Sequence, residues 1–456
     1  MSSIPTVGVP SPVPATVPAK QVSPTNPKWQ DLWCAILFYL HLAWFATCSL
    51  YAIRASYKHL FVIKKHLDLP DGLLGFLIAQ LVGMVFTSGL LTAISMLMLR
   101  TRAEMMIHVS MIANIVLTAL FGVLAAILRP NIFGYMACGT FLFIAVMLTI
   151  VYFWVRSRFA FSALILKQVM DCIEMYPSIY TVVAGVLVVS IVYASWFSVT
   201  FSAAAALYNE YDDALHGALL FFVLFSFLWS SQVLANVLQT TIAGVFATHY
   251  FTPRGQRADK ATSGAFSRAV TYSFGSVCLG SLIVALIQLL RIVLKSATEK
   301  NSIAGAVVDC ILEWVESLVA YFNYYAYTQI AIYGKSFVQA SRDTWELIKR
   351  HGVDAIVNDN LTGTTTSMLS LAIGFCCGFV SFLLSYLIYR ETMGLSVLLS
   401  LSMFLLGMLI PMVALQVIGA GSTALFVCLS EDPASLQRND PMLYNKIVSK
   451  YGQFQA

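Results

Sequence analysis

The chain has 456 residues, of which 59% are hydrophobic and only 11% are charged. Soluble domains carry about a quarter charged residues, so this composition excludes a water-soluble protein and predicts an all-α, polytopic integral membrane protein. The net charge of +5 is spread over the loops and offers no basic face to nucleic acid. Nine scattered cysteines without a CxxC pair predict neither a disulfide framework nor a zinc site.

The N-terminal segment, residues 1–28, holds seven of the fourteen prolines. Proline interrupts helical hydrogen bonding and little in this segment can be buried, so it is predicted to be a disordered cytoplasmic tail. It lacks the basic start and apolar core of a signal peptide. A regulatory tail and a tail without a role are both compatible with this sequence.

Residues 29–430 are predicted to form a transmembrane domain, because they contain ten apolar segments of the roughly 20 residues that a spanning helix needs. These segments are 30–53, 73–99, 105–128, 132–155, 178–207, 217–251, 267–294, 307–334, 364–389 and 397–428. The eighth is the weakest because it contains Asp309, Glu313 and Glu316. Its alternative is a surface helix followed by a short re-entrant helix. Residues 431–456 are predicted to be a cytoplasmic tail.

The Lys and Arg residues indicate how the spans are oriented. With a cytoplasmic N-terminus, 18 of the 27 fall in cytoplasmic segments, which predicts that both termini are cytoplasmic. Residues 335–363 are then predicted to contain an amphipathic helix on the inner membrane face, followed by a loop. The apolar positions of that helix are Phe337, Ala340, Trp345 and Ile348.

The sixth segment carries a polar and aromatic stripe. Its members recur at steps of three and four residues, which places them on one side of a helix. They are Trp229, Gln232, Asn236, Gln239, Thr240 and Gly244. Polar groups in hydrocarbon are costly, so they either hydrogen-bond to neighbouring helices or line a substrate path, and the two roles are compatible.

A second aromatic set closes the eighth segment, where YFNYYAYTQIAIYGKSF (321–337) contains five tyrosines. One interfacial belt requires fewer, so Tyr324 and Tyr327 are predicted to face the stripe of the sixth segment. Aromatic rings and amides without carboxylates favour a soft organic cation over a hydrated metal ion. The predicted substrate-binding residues are Trp229, Gln232, Asn236, Thr240, Tyr324 and Tyr327. No metal site and no cofactor are predicted.

His41 lies near the middle of the first segment. An ionisable group at that depth is a candidate for proton coupling, and a neutral, hydrogen-bonded histidine is the alternative. The chain contains no HExxH, GxSxG or P-loop pattern, so an enzyme is not expected.

Four stretches in order resemble the choline transporter-like family, also called solute carrier family 44. They are TIAGVFATHYF (241–251), GSVCLGSLIVALIQLLRIVLK (275–295), AYTQIAIYGKSF (326–337) and LFVCLSEDPASLQRND (425–440). The resemblance implies ten spans with both ends cytoplasmic, and movement of choline or related amines such as ethanolamine, with proton exchange in some members. The short connection at 54–72 is similar to the fungal and protist branch.

These observations lead to the hypothesis of a transporter of choline-like organic cations in the plasma membrane, with an organelle membrane as the alternative. A non-transporting scaffold or sensor of the same fold and a channel are the other hypotheses. The expected partners are the small organic cation and membrane lipid, and the sequence does not specify an oligomeric state.

Overall fold

The computed structural model describes residues 28–66, 73–128, 130–156, 159–253, 256–297, 303–388 and 393–450. Over these residues it contains helices and no strand, which confirms the all-α prediction. The helices are α1 (Leu32–His66), α2 (Leu73–Leu128), α3 (Ile132–Val155), α4 (Phe159–Met175), α5 (Ser178–Tyr211), α6 (Ala214–Phe251), α7 (Ala261–Val270), α8 (Phe274–Ala297), α9 (Ile303–Tyr333), α10 (Phe337–Ile388), α11 (Met393–Glu431), α12 (Pro433–Asn439) and α13 (Pro441–Lys450). The proline-rich tail falls outside the described residues, apart from Lys28.

Eight of the described helices are long and apolar enough to cross a membrane, as expected for a polytopic membrane protein. They are α1, α2, α3, α5, α6, α8, α10 and α11. Ten spans were predicted, and the difference arises at two helices. The second and third predicted spans both lie in α2, and α9 is too rich in tyrosines, amides and carboxylates to be among the eight.

α2 bends sharply at Arg102, which has non-helical backbone angles. In a straight helix Gln80 and Asn114 would lie about 50 Å apart at 1.5 Å per residue. Their side-chain amides nevertheless donate to the carbonyls of Ser381 and Met368 on α10, which are separated by only about 20 Å of helix. α2 therefore presents two segments to α10, as the two predicted spans require.

α6 is the central helix and contacts α5, α7, α8, α9 and α11. It begins three residues before the predicted boundary because the Asp213 side chain accepts a hydrogen bond from the backbone N–H of His216, at 2.8 Å. This bond, together with one to the His216 ring, holds the pKa of Asp213 below its ordinary value. Further along α6, every residue from 237 to 247 is buried.

Several helices were missed by the sequence prediction because they are short or only partly apolar. α4, α7, α12 and α13 were not expected, and the seventh predicted span begins at Phe274 rather than at 267. Residues 433–450 of the predicted cytoplasmic tail 431–456 contain the helices α12 and α13, and Leu436 and Leu443 are buried in the main apolar core. The Tyr250 hydroxyl also donates to the carbonyl of Asp432 at 2.8 Å, which attaches this region to α6.

α10 runs without a break from Phe337 to Ile388. It therefore has helix where the sequence predicted a loop at the end of segment 335–363, and the ninth predicted span is its continuation. The expected apolar face is divided in the structure. Phe337 and Ala340 are buried against the protein, whereas Trp345 is 53% exposed.

Residues 29–31 form an N-terminal clip that ties three helices together. The Asp31 carboxylate accepts hydrogen bonds from the Ser276 hydroxyl of α8, at 2.6 Å, and from the backbone N–H of Phe337 at the start of α10, at 2.8 Å. A negative charge is favoured at helix N-termini, where backbone N–H groups lack helical partners. An aromatic contact and a backbone hydrogen bond attach the clip to Tyr272, in the turn between α7 and α8.

Candidate substrate site

Asn236 links three helices at the middle of the polar stripe. Its side-chain amide donates to the Ser281 hydroxyl of α8 at 2.9 Å and to the Tyr327 hydroxyl of α9 at 3.2 Å. Ser281 and Tyr327 are buried, whereas Asn236 is half-buried. The structure thus brings together two of the predicted residues, and the side-chain carbonyl oxygen of Asn236 remains as an acceptor.

Two glutamines lie on the same side of α6, one turn to either side of Asn236. Gln232 is half-buried and makes no side-chain hydrogen bond within the described residues. Gln239 is completely buried, and neither its amide nitrogen nor its carbonyl oxygen has a partner there. Buried amides are nearly always paired, so this region of α6 contains the unsatisfied polar atoms that a polar ligand or ordered water requires.

Tyr324 of α9 and Gln416 of α11 border this face. The Tyr324 hydroxyl lies against Gly419, where an added Cβ atom would be only 2.9 Å from it. The Gln416 amide donates to the carbonyl of Ala235, the neighbour of Asn236, at 3.1 Å. Residues three apart share a helix face, so one face of α11 contacts both α6 and Tyr324. Gln416 was missed because a single amide in an apolar run gives no indication of its partner.

Trp229 is packed within an aromatic cluster and is only 2% exposed. Its ring centroid lies 4.8 Å from that of His41, 5.2 Å from that of Phe38 and 5.7 Å from that of Phe225. The indole N–H donates to the backbone carbonyl of Cys278 on α8 at 3.1 Å. These contacts account for its position by packing, and its predicted contact with substrate stays a prediction.

His41 lies in the same cluster and is 7% exposed. Phe38, Phe222, Phe225 and Trp229 surround its ring. Neither ring nitrogen has a hydrogen-bond partner among the described residues. The coupling role and the neutral, hydrogen-bonded alternative both stay predictions.

Thr240 is 3% exposed and donates its hydroxyl to the carbonyl of Asn236 at 2.8 Å, within the same helix. It belongs to the fully buried part of α6, residues 237–247, which α7 helps to cover. The accessible part of the polar stripe therefore ends at Asn236. Of the six predicted site residues, Gln232, Asn236 and Tyr324 are half-buried, and Trp229, Thr240 and Tyr327 are buried.

A carboxylate at the end of α11 was not singled out by the sequence reasoning. Glu431 accepts hydrogen bonds from the Gln329 amide and the Tyr333 hydroxyl, both on α9. Tyr333 is one of the five tyrosines of the stretch 321–337, and the structure gives it this carboxylate as a partner. The acidic stretch within LFVCLSEDPASLQRND (425–440) was the available signal.

Trp229→Phe is expected to lower the stability of the protein by about 1 kcal/mol, because the carbonyl of Cys278 loses its donor while most of the ring packing is kept. Thermal unfolding of the purified protein in detergent measures the change. Trp314→Phe is the matched control, since that side chain is 66% exposed. Equal unfolding temperatures for the two variants would contradict the contribution of the indole hydrogen bond.

Comparisons with known proteins agree with this architecture. Residues 139–434 match a family model described as plasma-membrane choline transporter. Protein PNS1 of Mycosarcoma maydis is 30% identical over 94% of this chain and 84% of its own length. A CTL-like protein of Dictyostelium discoideum is 31% identical over 93% and 76% of the two chains. Protein PNS1 of Gibberella zeae is 34% identical over 66% and 60%.

The eight long apolar helices among the described residues are those of a polytopic integral membrane protein, and the family whose model it matches is one of transporters. The matched model and the similarity to full-length relatives show that the chain belongs to the choline transporter-like family. The fungal and protist relatives confirm the branch that the sequence resembles. Membership supports a general role in transport rather than catalysis, and implies a small organic cation as substrate in a lipid setting.

Proposed function

We propose that the protein moves choline, or a related amine such as ethanolamine, across the plasma membrane by way of the polar stripe of α6. The observation that carries this proposal is the arrangement at Asn236. Its amide nitrogen is held by Ser281 and Tyr327, and its carbonyl oxygen remains available in a half-buried position.

The chemistry of this position suits a small hydroxylated or primary amine. The carbonyl oxygens of Asn236 and Gln232 are acceptors for a hydroxyl or an ammonium N–H, and that of Gln239 would join them when the inner half of α6 opens. Aromatic faces attract an organic ammonium without a fixed negative charge, and Tyr324 borders the site. A hydrated metal ion would find amides here but no carboxylate among the predicted site residues, which favours the organic cation.

The burial pattern of α6 supports a site reached from one side. Asn236 is half-buried, and residues 237–247 beyond it are buried. The N-terminal end of α6 is the outer end in the topology predicted from Lys and Arg, so this conformation corresponds to access from outside with the inner half closed. Alternating access would then require α7 and the inner half of α6 to separate.

Choline and ethanolamine are expected to raise the unfolding temperature of the purified protein in a concentration-dependent way, because a ligand that binds only the folded state stabilises it. The matched control is 3,3-dimethylbutan-1-ol, the neutral carbon isostere of choline, which is expected to leave the unfolding temperature unchanged. If neither amine stabilised the protein, the proposed substrates would be wrong, and the non-transporting scaffold or sensor would be favoured.

His41 is proposed to couple the movement of the cation to protons, because its ring contacts Trp229 on the helix that bears the polar stripe. We expect His41→Asn to abolish the response of uptake to an imposed pH gradient while amine-dependent stabilisation is retained. Uptake into proteoliposomes with and without the gradient measures this. A variant that still responds like the wild type would show that His41 is not the coupling residue.

A further inference from the structure

A large cavity lies beside α6, between α5, α6 and α7, with a volume of about 830 Å³. Its walls are predominantly apolar. They include Val182, Val186, Val189, Val233, Val237 and Phe266. Val237 and Gln239 are two positions apart, so they point about 200° away from each other around α6 at 100° per residue. Most of this crevice therefore faces away from the polar stripe, and it comes closest to that stripe at Val233, three residues before Asn236.

The mouth of the crevice is cationic. Arg257 and Lys260, which precede α7, line it. The Arg257 guanidinium lies over the Tyr176 ring at 5.7 Å, and neither cation forms an ion pair within the described residues. Asp259 lies between them in sequence but does not line the cavity. Lys260 is the N-cap residue of α7 and its side chain makes no capping hydrogen bond, so the positive end of this helix adds to the potential at the mouth.

The crevice extends from this mouth along α5 and opens sideways. Val189 lies eleven residues after Ser178, which is about 16 Å along the helix. Val189 is 51% exposed and Phe266 is 38% exposed, although both line the cavity. Because α5 is one of the helices long and apolar enough to span the bilayer, this opening faces hydrocarbon.

We propose that the crevice binds an anionic phospholipid of the cytoplasmic leaflet, with its phosphate at Arg257 and Lys260 and an acyl chain between α5 and α6. An apolar crevice open to hydrocarbon suits an acyl chain. Arg257 and Lys260, which have no carboxylate partner within the described residues, suit a phosphate. The distribution of Lys and Arg predicts that this mouth is cytoplasmic, and anionic lipids are concentrated in that leaflet.

The first test compares phosphatidylglycerol with phosphatidylcholine in mixed micelles of the purified full-length protein. Phosphatidylglycerol is expected to raise the unfolding temperature by a few degrees relative to phosphatidylcholine. The double variant R257A/K260A is expected to lose most of this difference. The matched control is R342A/K349A, which removes two exposed cations of α10 and is expected to retain it. Equal stabilisation of both double variants would overturn the proposal.

The second test fills the groove. An added Cβ atom at Gly185, which lines the cavity, meets no atom within 4 Å, so the side chain of Gly185→Phe can start from the helix without a clash at its Cβ. This variant is expected to lose the phosphatidylglycerol effect. Gly139→Phe on α3 is the control, since Gly139 is exposed and also has no atom within 4 Å of an added Cβ. If glycerol 3-phosphate, which lacks acyl chains, stabilised the protein as well as phosphatidylglycerol, the acyl site would be excluded.

Discussion

Asn236→Leu is expected to reduce saturable amine uptake at least about tenfold, which corresponds to about 1.4 kcal/mol of lost interaction. Leucine has nearly the shape of asparagine but can neither donate to Ser281 and Tyr327 nor accept from a ligand. The link between α6, α8 and α9 is lost at the same position. Initial rates in proteoliposomes, measured over a range of choline concentrations, give the effect on uptake.

Ser231→Ala is the matched control for this variant. Ser231 is also half-buried on α6, but its hydroxyl donates only to the carbonyl of Leu228 in its own helix, at 3.1 Å. We expect its uptake to equal that of the wild type. If folded Asn236→Leu protein transported choline as well as Ser231→Ala, the substrate would not bind at the polar stripe of α6.

Asp31→Ala is expected to lower the stability of the protein by about 1–3 kcal/mol, because a charged acceptor with two hydrogen bonds is removed. The Ser276 hydroxyl and the first N–H of α10 both lose their partner. The N-terminal clip would then no longer hold α1, α8 and α10 together. Thermal unfolding in detergent measures the loss.

Gly275→Ala tests the same contact from the other side. An added Cβ atom there would lie 2.2 Å from the backbone carbonyl oxygen of Asp31, so the clip has to move away from α8. The control is Asp343→Ala, which removes a partly exposed carboxylate paired with Lys335, and exposed ion pairs contribute little. Destabilisation by Asp343→Ala equal to that of Asp31→Ala would contradict the role of the clip.

The sequence predicted the long spans well because hydropathy and helix length are local properties. The predicted segment 132–155 coincides with α3, and the predicted 217–251 differs from α6 only at its start. The missed element α4 is a single helix of 17 residues with Lys167, Asp171 and Glu174 in its sequence. Its burial depends on neighbours that are distant in the sequence, so hydropathy alone could not identify it.

The candidate site was predicted only in part, because spacing along one helix is also a local property. Spacing along α6 placed Gln232, Asn236 and Gln239 on one face, which the structure also shows. Spacing could not reveal that Trp229 packs against α1 and α8, or that Gln416 of α11 reaches the backbone beside Asn236. Which partner a polar side chain finds is a property of the tertiary fold.

Uptake of labelled choline by the purified protein in proteoliposomes tests the central claim most directly. The proposed function predicts that choline uptake saturates with choline concentration. Ethanolamine is expected to compete with choline, and Asn236→Leu is expected to reduce the uptake rate. Protein-free liposomes give the background flux of choline. Proteoliposomes with the Ser231→Ala variant give the uptake rate expected when the site is intact. Flux that rises linearly with concentration, or flux equal to that of protein-free liposomes, would contradict a choline transporter with its site at Asn236.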